Sequence, residues 1–287
     1  MITTLKYLTY ILQTDIGSID KIIANINSYY KSWDKPKLDK DTDVPLLDKD
    51  GKVKTRPINA TTKPLKTIQK KIYKFLLKRI CLPAYFFGGI PRKDNTLNAK
   101  YHQGNKFVFT TDLKSFFPSI SNKAVFSMFL DLGFHPTVAR KLTQLTTINR
   151  QIPQGVPTST LIANLVFKKT GDKLDLFAKT NDIKFSIFVD DITMSSKIDF
   201  KDKIPDILLI ITQDGYKISH QKTFYKTKNP IITGVVCQNN KIKLPCAFNK
   251  RIRRIEQKIA GERNHKLQKK LEGIKLYKTK VDSLNTP

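Results

Sequence analysis

Acids are scarce in this chain: 24 Asp and Glu stand against 52 Lys and Arg in 287 residues, a formal charge of +28 spread from end to end. An excess of one sign on this scale opposes compaction unless a polyanion or counterions offset it. Nucleic acid is the first such partner to consider, because each phosphate neutralised releases condensed counterions. Cysteine is also scarce. Cys81, Cys237 and Cys246 are odd in number and lack metal-ligand spacing, which excludes a disulfide framework and a zinc module and fits a reducing, cytoplasmic setting. No run of about 18 apolar residues occurs, so no membrane partner is expected. The N-terminus lacks the continuous apolar run of a signal peptide; Ile2, Leu5, Leu8, Ile11 and Leu12 instead mark one face of an amphipathic helix. No internal repeat is present. What remains is an ordinary share of hydrophobic residues, 40%, enough to bury a substantial core in one large domain or two to three modest subdomains.

Residues 1–30 read as one or two helices, ending at a polar, Pro-containing segment over 35–50. Lys49-Asp50-Gly51-Lys52 is a turn signal, and a β-hairpin of 44–47 with 53–58 is expected around it. Pro64 suits the first turn of a helix whose apolar stripe, Leu65, Ile68, Ile72, Phe75 and Leu76, ends near Ile80. Gly88-Gly89 and Pro91 mark a loop. A short helix over 98–102 precedes a strand, Phe107-Val108-Phe109, that leads into Asp112. Helices are expected over 124–130, 137–146 and 158–170. The β-rich runs 185–189 and 192–195 meet at Asp190-Asp191 as a hairpin. An apolar helix over 204–211, a turn with a strand over 217–225 and a single strand over 231–237 follow. From about Phe248 the chain is helical and basic, with Ile252, Ile255 and Ile259 on one face; residues 241–280 hold fourteen Lys or Arg against three Glu, a composition that suits a nucleic-acid clamp or a solvated face.

Joining nucleotides requires in-line attack of a hydroxyl on an α-phosphate, with two Mg²⁺ ions stabilising the attacking and leaving oxygens. Several carboxylates on rigid elements must therefore converge, and carboxylate oxygens suit Mg²⁺. Asp112 at a strand end and Asp190 and Asp191 at a hairpin bend have that disposition if the strands are neighbours. An Asp-Asp pair alone is a common turn signal. Its context is specific: Thr110-Thr111-Asp112-Leu113-Lys114-Ser115-Phe116-Phe117, then Gln151-Ile152-Pro153-Gln154-Gly155-Val156-Pro157-Thr158-Ser159, then Phe188-Val189-Asp190-Asp191. This ordered series resembles the motifs of reverse transcriptases.

The resemblance implies roles for individual residues. Asp112 and Asp190 would be the main metal ligands, with Asp191 beside them near the primer end. Phe117 would be the steric gate beneath the incoming sugar, Phe116 or Phe117 otherwise being core. Gln154 and Gly155 would border nucleotide and template, glycine permitting close backbone approach. Lys54 and Arg56 take the place of the basic residues that hold the triphosphate of a dNTP, Arg56 being favoured by Arg56-Pro57-Ile58 followed by Pro64-Leu65-Lys66. Lys222, in Ser219-His220-Gln221-Lys222-Thr223, resembles the lysine that protonates leaving pyrophosphate.

Two further elements narrow the family. Asn98-Ala99-Lys100-Tyr101-His102 and Ile232-Thr233-Gly234 resemble the Asn-Ala-x-x-His and Val-Thr-Gly elements of bacterial retron reverse transcriptases. Asn98, Ala99, His102, Thr233 and Gly234 carry that likeness, although Asn98 and His102 on one helical face also fit a hydrogen-bonded pair. Two departures from the family pattern stand out: Phe188-Val189 stands for Tyr-Ala, which bears on fidelity or processivity, and Ile232 for Val adds one methylene. The resemblance implies an α/β (α+β) right-hand polymerase, with fingers and palm interleaved over 1–240 and a short basic helical thumb over 241–287, and leaves no residues for an RNase H domain. It implies a structured noncoding RNA as template, a start from a guanosine 2′-hydroxyl, an RNA-linked single-stranded DNA product (msDNA), a host RNase H and a separate effector in anti-phage defence. Rival readings are another bacterial reverse transcriptase lineage and a noncatalytic RNA-binding scaffold.

Overall fold

The computed structural model describes residues 3–39, 42–261 and 264–285. Met1, Ile2 of the N-terminal stripe, Lys40 and Asp41 of the polar segment, Glu262 and Arg263 of the basic tail, and Thr286 and Pro287 lie outside the described residues. Helices α1 (Leu5–Leu12) and α2 (Ile16–Ala24) begin where the Thr4 and Asp15 side chains accept backbone N–H groups, satisfying donors that a helix start leaves unpaired. Leu8, Leu12, Ile19 and Ile22 are buried in the core. The expected hairpin is displaced. Its ladder is β1 (Tyr30–Pro36) with β2 (Thr55–Thr61), antiparallel with Trp33 opposite Ile58; around the Asp50-Gly51 turn only the single bridges Leu38–Pro45 and Leu47–Val53 form.

Helix α3 (Leu65–Arg79) follows Pro64 and buries Leu65, Ile68, Ile72 and Leu76, the 3.6-residue stripe visible in the sequence. Helix α4 (Asn95–Tyr101), capped by Asp94, precedes β3 (Phe107–Asp112). Then come α5 (Phe116–Ser119), α6 (Asn122–Asp131), α7 (Pro136–Thr146) and α8 (Ser159–Thr180). The last ends ten residues later than expected. Gly171 does not end it, because that glycine packs beneath Tyr85: a Cβ there would lie 2.8 Å from the phenol oxygen. In α8 it is a packing residue, whatever its low helix propensity.

Strands β4 (Lys184–Phe188) and β5 (Asp191–Ser196) form the expected hairpin, followed by α9 (Ile204–Gln213) and β6 (Phe224–Lys226). The central antiparallel sheet has the order β4-β5-β3-β6. Because side chains alternate along a strand, Phe109, Phe185, Ile187, Ile192 and Met194 enter the main core with Phe167 and Leu174 of α8 and Ile207 and Ile211 of α9. The opposite face carries Val108, Ser186 and Ser195.

The expected single strand over 231–237 is two: β7 (Ile231–Ile232) and β8 (Val235–Cys237) pair through a two-residue turn, Thr233-Gly234, with φ of 47° and 89°. Two positive φ values at the centre of a two-residue hairpin loop define a type I′ turn. Strand β9 (Ile242–Lys243) completes that sheet, and α10 (Cys246–Gly261) and α11 (His265–Ser283) end the described chain. Val281 of α11 returns to a second, smaller core with Ala99, Val108, Ile232, Val235, Cys237 and Ile242. Helices and antiparallel sheets occupy separate layers, the α+β arrangement. Among the described residues no helix is long and apolar enough to cross a membrane.

Candidate active site

Register brings the three acids together. Asp112 closes β3 directly opposite Asp191, which opens β5, and the Leu113 N–H donates to the Asp190 carbonyl at 2.9 Å. The Asp112 carbonyl in turn accepts from the Ser219 N–H at 2.8 Å. Asp112 is 7% exposed, and Asp190 and Asp191 are half-buried. The turn that presents Asp190 contains Val189 at φ 63°, a left-handed conformation rare for a β-branched residue and worth on the order of 1–3 kcal/mol of strain. Gly88 braces it. A Cβ on Gly88 would meet the Val189 nitrogen at 2.4 Å, and the Gly88 carbonyl accepts from the Asn164 side chain at 2.9 Å. The sequence marks Gly88 only as loop; its role as the surface on which the acidic turn rests depends on contacts far along the chain.

Electrostatics at this point are crowded. Burial, and then the Asp112 charge, push the Asp190 carboxyl above its ordinary range, against the opposing pull of Lys222 and Arg56. Lys222 Nζ donates to Asp112 Oδ1 at 2.6 Å. Burial lowers the Lys222 pKa, but the hydrogen bond to Asp112 and the charges of all three acids outweigh it, so the ammonium is held above its usual range. The donor set is all carboxylate oxygen, the chemistry Mg²⁺ takes, and the strain between Asp112 and Asp190 is of the kind a cation relieves. Among the described residues no group of three or more His, Cys, Asp or Glu side chains is arranged to hold a metal ion; an ammonium balances Asp112.

Around the acids, Phe116 is core at 2% exposure and Phe117 is half-buried beside it, their ring centroids 5.8 Å apart. Ser115, just before them, takes φ 54° and turns the chain from β3 into α5. The 153–157 loop is docked on the ribbon: the Asn59 N–H donates to the Gln154 carbonyl at 2.7 Å, and Gly155, at φ 104°, lies where a Cβ would meet Ile58 Cγ2 at 3.0 Å. Arg56 is exposed on β2 with its charge reaching Asp190. Lys54 lies one residue before β2, its carbonyl accepting from the Lys37 N–H at 2.8 Å. A cavity of about 740 Å³ opens on the other side, with Thr110, Asp191, Thr193 and Lys222 along its floor and Phe248, Arg251 and Tyr277 on its wall. Arg56, Phe117, Gln154 and Gly155 are not among its lining residues.

Of the remaining sequence-selected residues, Thr233 is half-buried and Gly234 exposed. Asn98, Ala99 and His102 are fully buried. Asn98 and His102 are not a pair. Asn98 Nδ2 reaches Thr233 Oγ1 at 3.5 Å, Thr233 Oγ1 donates to the Asn95 carbonyl at 3.0 Å, and Asn95 Nδ2 donates to the Thr233 carbonyl at 3.0 Å and to the Tyr277 hydroxyl at 2.6 Å. The Thr233-Gly234 turn is thus sewn to α4 and to α11. His102 contacts Ser195 Oγ through Nδ1 and Ser186 Oγ through Nε2, both at 2.7 Å. One imidazole therefore grips both strands of the hairpin that carries Asp190 and Asp191. Burial, reinforced by the charge of Lys184, pushes its pKa down to about 3, so the ring is neutral.

Residues 46–258 match the protein family described as reverse transcriptase (RNA-dependent DNA polymerase). Among curated proteins, the retron Se72 reverse transcriptase of Salmonella heidelberg is 32% identical over 228 residues, covering 77% of this chain and 57% of that protein. The retron Ec86 reverse transcriptase of Escherichia coli is 28% identical, covering 65% and 60%. The retron Ec48 reverse transcriptase of Escherichia coli is 30% identical, covering 66% and 51%. The chain therefore spans between half and three-fifths of the length of these relatives. A solved telomerase from Candida albicans, in complex with a fragment of telomeric RNA, superposes with a TM-score of 0.48 at 10% identity, covering 84% of this chain and 52% of that one, a likeness too slight to add to the fold assignment.

Proposed function

The chain belongs to the reverse transcriptase family, and on that premise we propose that it is an RNA-directed DNA polymerase of the retron type. The observation that carries this reading is the strand register that sets Asp112 opposite Asp191, with Asp190 in the adjoining turn. Three acids in a chain of net charge +28 fit a site that handles phosphates and cations. Asp112 and Asp190, with Asp191 beside them, would hold two Mg²⁺ ions, which when bound neutralise the attacking and leaving oxygens of an in-line displacement. Lys222, kept protonated by its carboxylate neighbours, is the proton donor to leaving pyrophosphate. Arg56, with Lys54, holds the triphosphate of the dNTP. Phe117 bars a 2′-hydroxyl, and Gln154 and Gly155 border the nucleotide and the template.

The finer reading follows the retron relatives. The template is a cognate structured noncoding RNA, synthesis starts from a guanosine 2′-hydroxyl within it, and the product is single-stranded DNA that stays joined to the RNA. A host RNase H removes the copied strand, and a separate effector acts with the complex in anti-phage defence in the cytoplasm. Residues 1–240 make up fingers and palm, and residues 241–287 the thumb. Primer extension on an RNA template with Mg²⁺ and dNTPs tests the chemistry: Asp190→Asn combined with Asp191→Asn abolishes it, and full activity in that double variant would sink the assignment. Sequencing the nucleic acid that copurifies from the host tests the finer part. One RNA joined to DNA through a branched guanosine is the expected result, and heterogeneous RNA is the contrary one.

A further inference from the structure

The loop between β1 and β2 reaches across the cavity to the C-terminal helices. Asp43 Oδ1 accepts from Arg251 Nη2 of α10 at 3.0 Å, and Asp43 Oδ2 accepts from Lys270 Nζ of α11 at 3.1 Å. This contact is built into the loop. Asp39 Oδ1 accepts from both the N–H and the hydroxyl of Thr42 at 2.8 Å, the Asp39 N–H donates to the Val44 carbonyl at 2.8 Å, and Asp43 takes φ 59°, a conformation Asp tolerates. An acid is thereby set against two helices whose surface is otherwise dominated by Lys and Arg.

The fit is incomplete. A guanidinium offers a planar fork of donors matched to two oxygens of one phosphate or carboxylate. Here Arg251 gives Asp43 one nitrogen, while its Nε is buried without any partner. A buried donor left unpaired has a cost that an additional acceptor oxygen removes. Held by both side chains, the carboxylate presents no oxygen to Nε.

The cavity beneath supplies the second constraint. Leu38, Asp39 and Leu46 of the loop face Ala247, Phe248 and Arg251 of α10 across it, above Thr110, Asp191 and Thr193. About 740 Å³ is the size of a small-molecule pocket, far short of a template paired with its primer. For a duplex to reach Asp191, the loop and the helices must part, and parting them breaks both ties to Asp43.

We infer that Arg251 and Lys270 form a seat for one backbone phosphate of nucleic acid, and that Asp43 fills this seat with its carboxylate until nucleic acid displaces it. The proposed function enters only in naming the polyanion as an RNA-DNA hybrid. The exchange replaces a carboxylate tethered by its loop with an untethered phosphodiester, whose two non-bridging oxygens are free to settle where they meet Arg251 Nη2 and Nε as well as Lys270. Asp43 thus sets a threshold: weak polyanions leave the loop latched and extended phosphate backbones release it.

Equilibrium binding of a short fluorescent RNA-DNA hybrid, followed by anisotropy over a range of salt concentrations without dNTPs, tests the exchange. Asp43→Asn keeps the shape of the loop and removes the competing charge. It tightens binding by about three- to tenfold at moderate salt, the scale of two surface ion pairs. Arg251→Gln with Lys270→Gln weakens binding and lowers the log-log salt slope by about one, as for one lost phosphate contact. In that background Asp43→Asn no longer tightens binding. Equal or weaker binding by Asp43→Asn overturns the inference, and so does the same tightening with Arg251 and Lys270 absent, which would mark a general charge effect. Because no nucleotide is added, failure to polymerise bears on the proposed function alone.

Discussion

Lys222 Nζ lies 2.6 Å from Asp112 Oδ1, joining the most buried acid of the candidate site to the proposed proton donor. The lysine is mostly exposed, at 61%, so solvent screens the pair and it adds little to the stability of the fold.

For Lys222 the sign follows from its raised pKa: the ammonium and its pairing with Asp112 persist below the folded pKa and are lost as pH rises through it. Single-turnover incorporation therefore declines on the alkaline side. Lys222→Ala lowers the chemical rate by about 10²-fold or more and removes that alkaline limb. A pH-rate profile that keeps its limb in the variant would assign the proton donor elsewhere.

Phe117 is the half-buried member of its pair, whereas Phe116 is committed to the core. Phe117→Val admits ribonucleotides, relaxing the preference for deoxynucleotides by at least about tenfold, with little change in thermal stability. Competition between dNTP and rNTP in primer extension measures it; unchanged sugar selectivity removes Phe117 from the nucleotide site.

His102 couples pH to stability. Its folded pKa of about 3 lies below the model-compound value of 6.5, so between those values the unfolded chain binds more protons and stability falls as pH falls. The loss approaches about 1.4 kcal/mol per pH unit well below 6.5. His102→Gln cannot take up that proton, and its unfolding midpoint is flatter between pH 7 and pH 5 than the wild type's. Parallel denaturation curves for the two proteins would show that the imidazole is not buried neutral.

Gly155→Ala combines a positive φ with a Cβ 3.0 Å from Ile58 Cγ2. The substitution costs on the order of 1–3 kcal/mol and shifts the 153–157 loop away from Asn59. Urea denaturation reads the first effect and a raised KM for dNTP the second. An unchanged KM would separate this loop from nucleotide binding.

Much of the candidate site is legible in the sequence. Asp112, Asp190 and Asp191 stand in apolar, β-rich runs whose two-residue period specifies both strand and face, and register then forces the acids together. The features that escaped share one physical character: they depend on partners distant in the chain. Strand β1 is Tyr-Lys-Ser-Trp-Asp-Lys-Pro, largely exposed, so no alternation betrays it; pairing with β2 makes it a strand. Thr233-Gly234 sits inside a continuous apolar run, and Thr at φ 47° lacks the Asn-Gly signature that announces a type I′ turn. Gly171 looks like a helix end until Tyr85 is placed over it. His102 is one residue of a short motif in sequence, and only the assembled sheet brings Ser186 and Ser195 to its two nitrogens.

The smaller core has a consequence for the order in which the molecule is made. Ala99 and Val108 wait for Val281, Asn95 waits for Tyr277, and the Lys100 ammonium donates to the Leu284 carbonyl at 2.7 Å. Domains form from the N-terminus as a ribosome delivers them, yet the smaller core behind the central sheet stays incomplete until α11 has emerged. A ribosome-bound chain would carry Asp112, Asp190 and Asp191 long before the contacts that α11 makes behind them could form, and the settling of the candidate site is thereby postponed until α11 has been made.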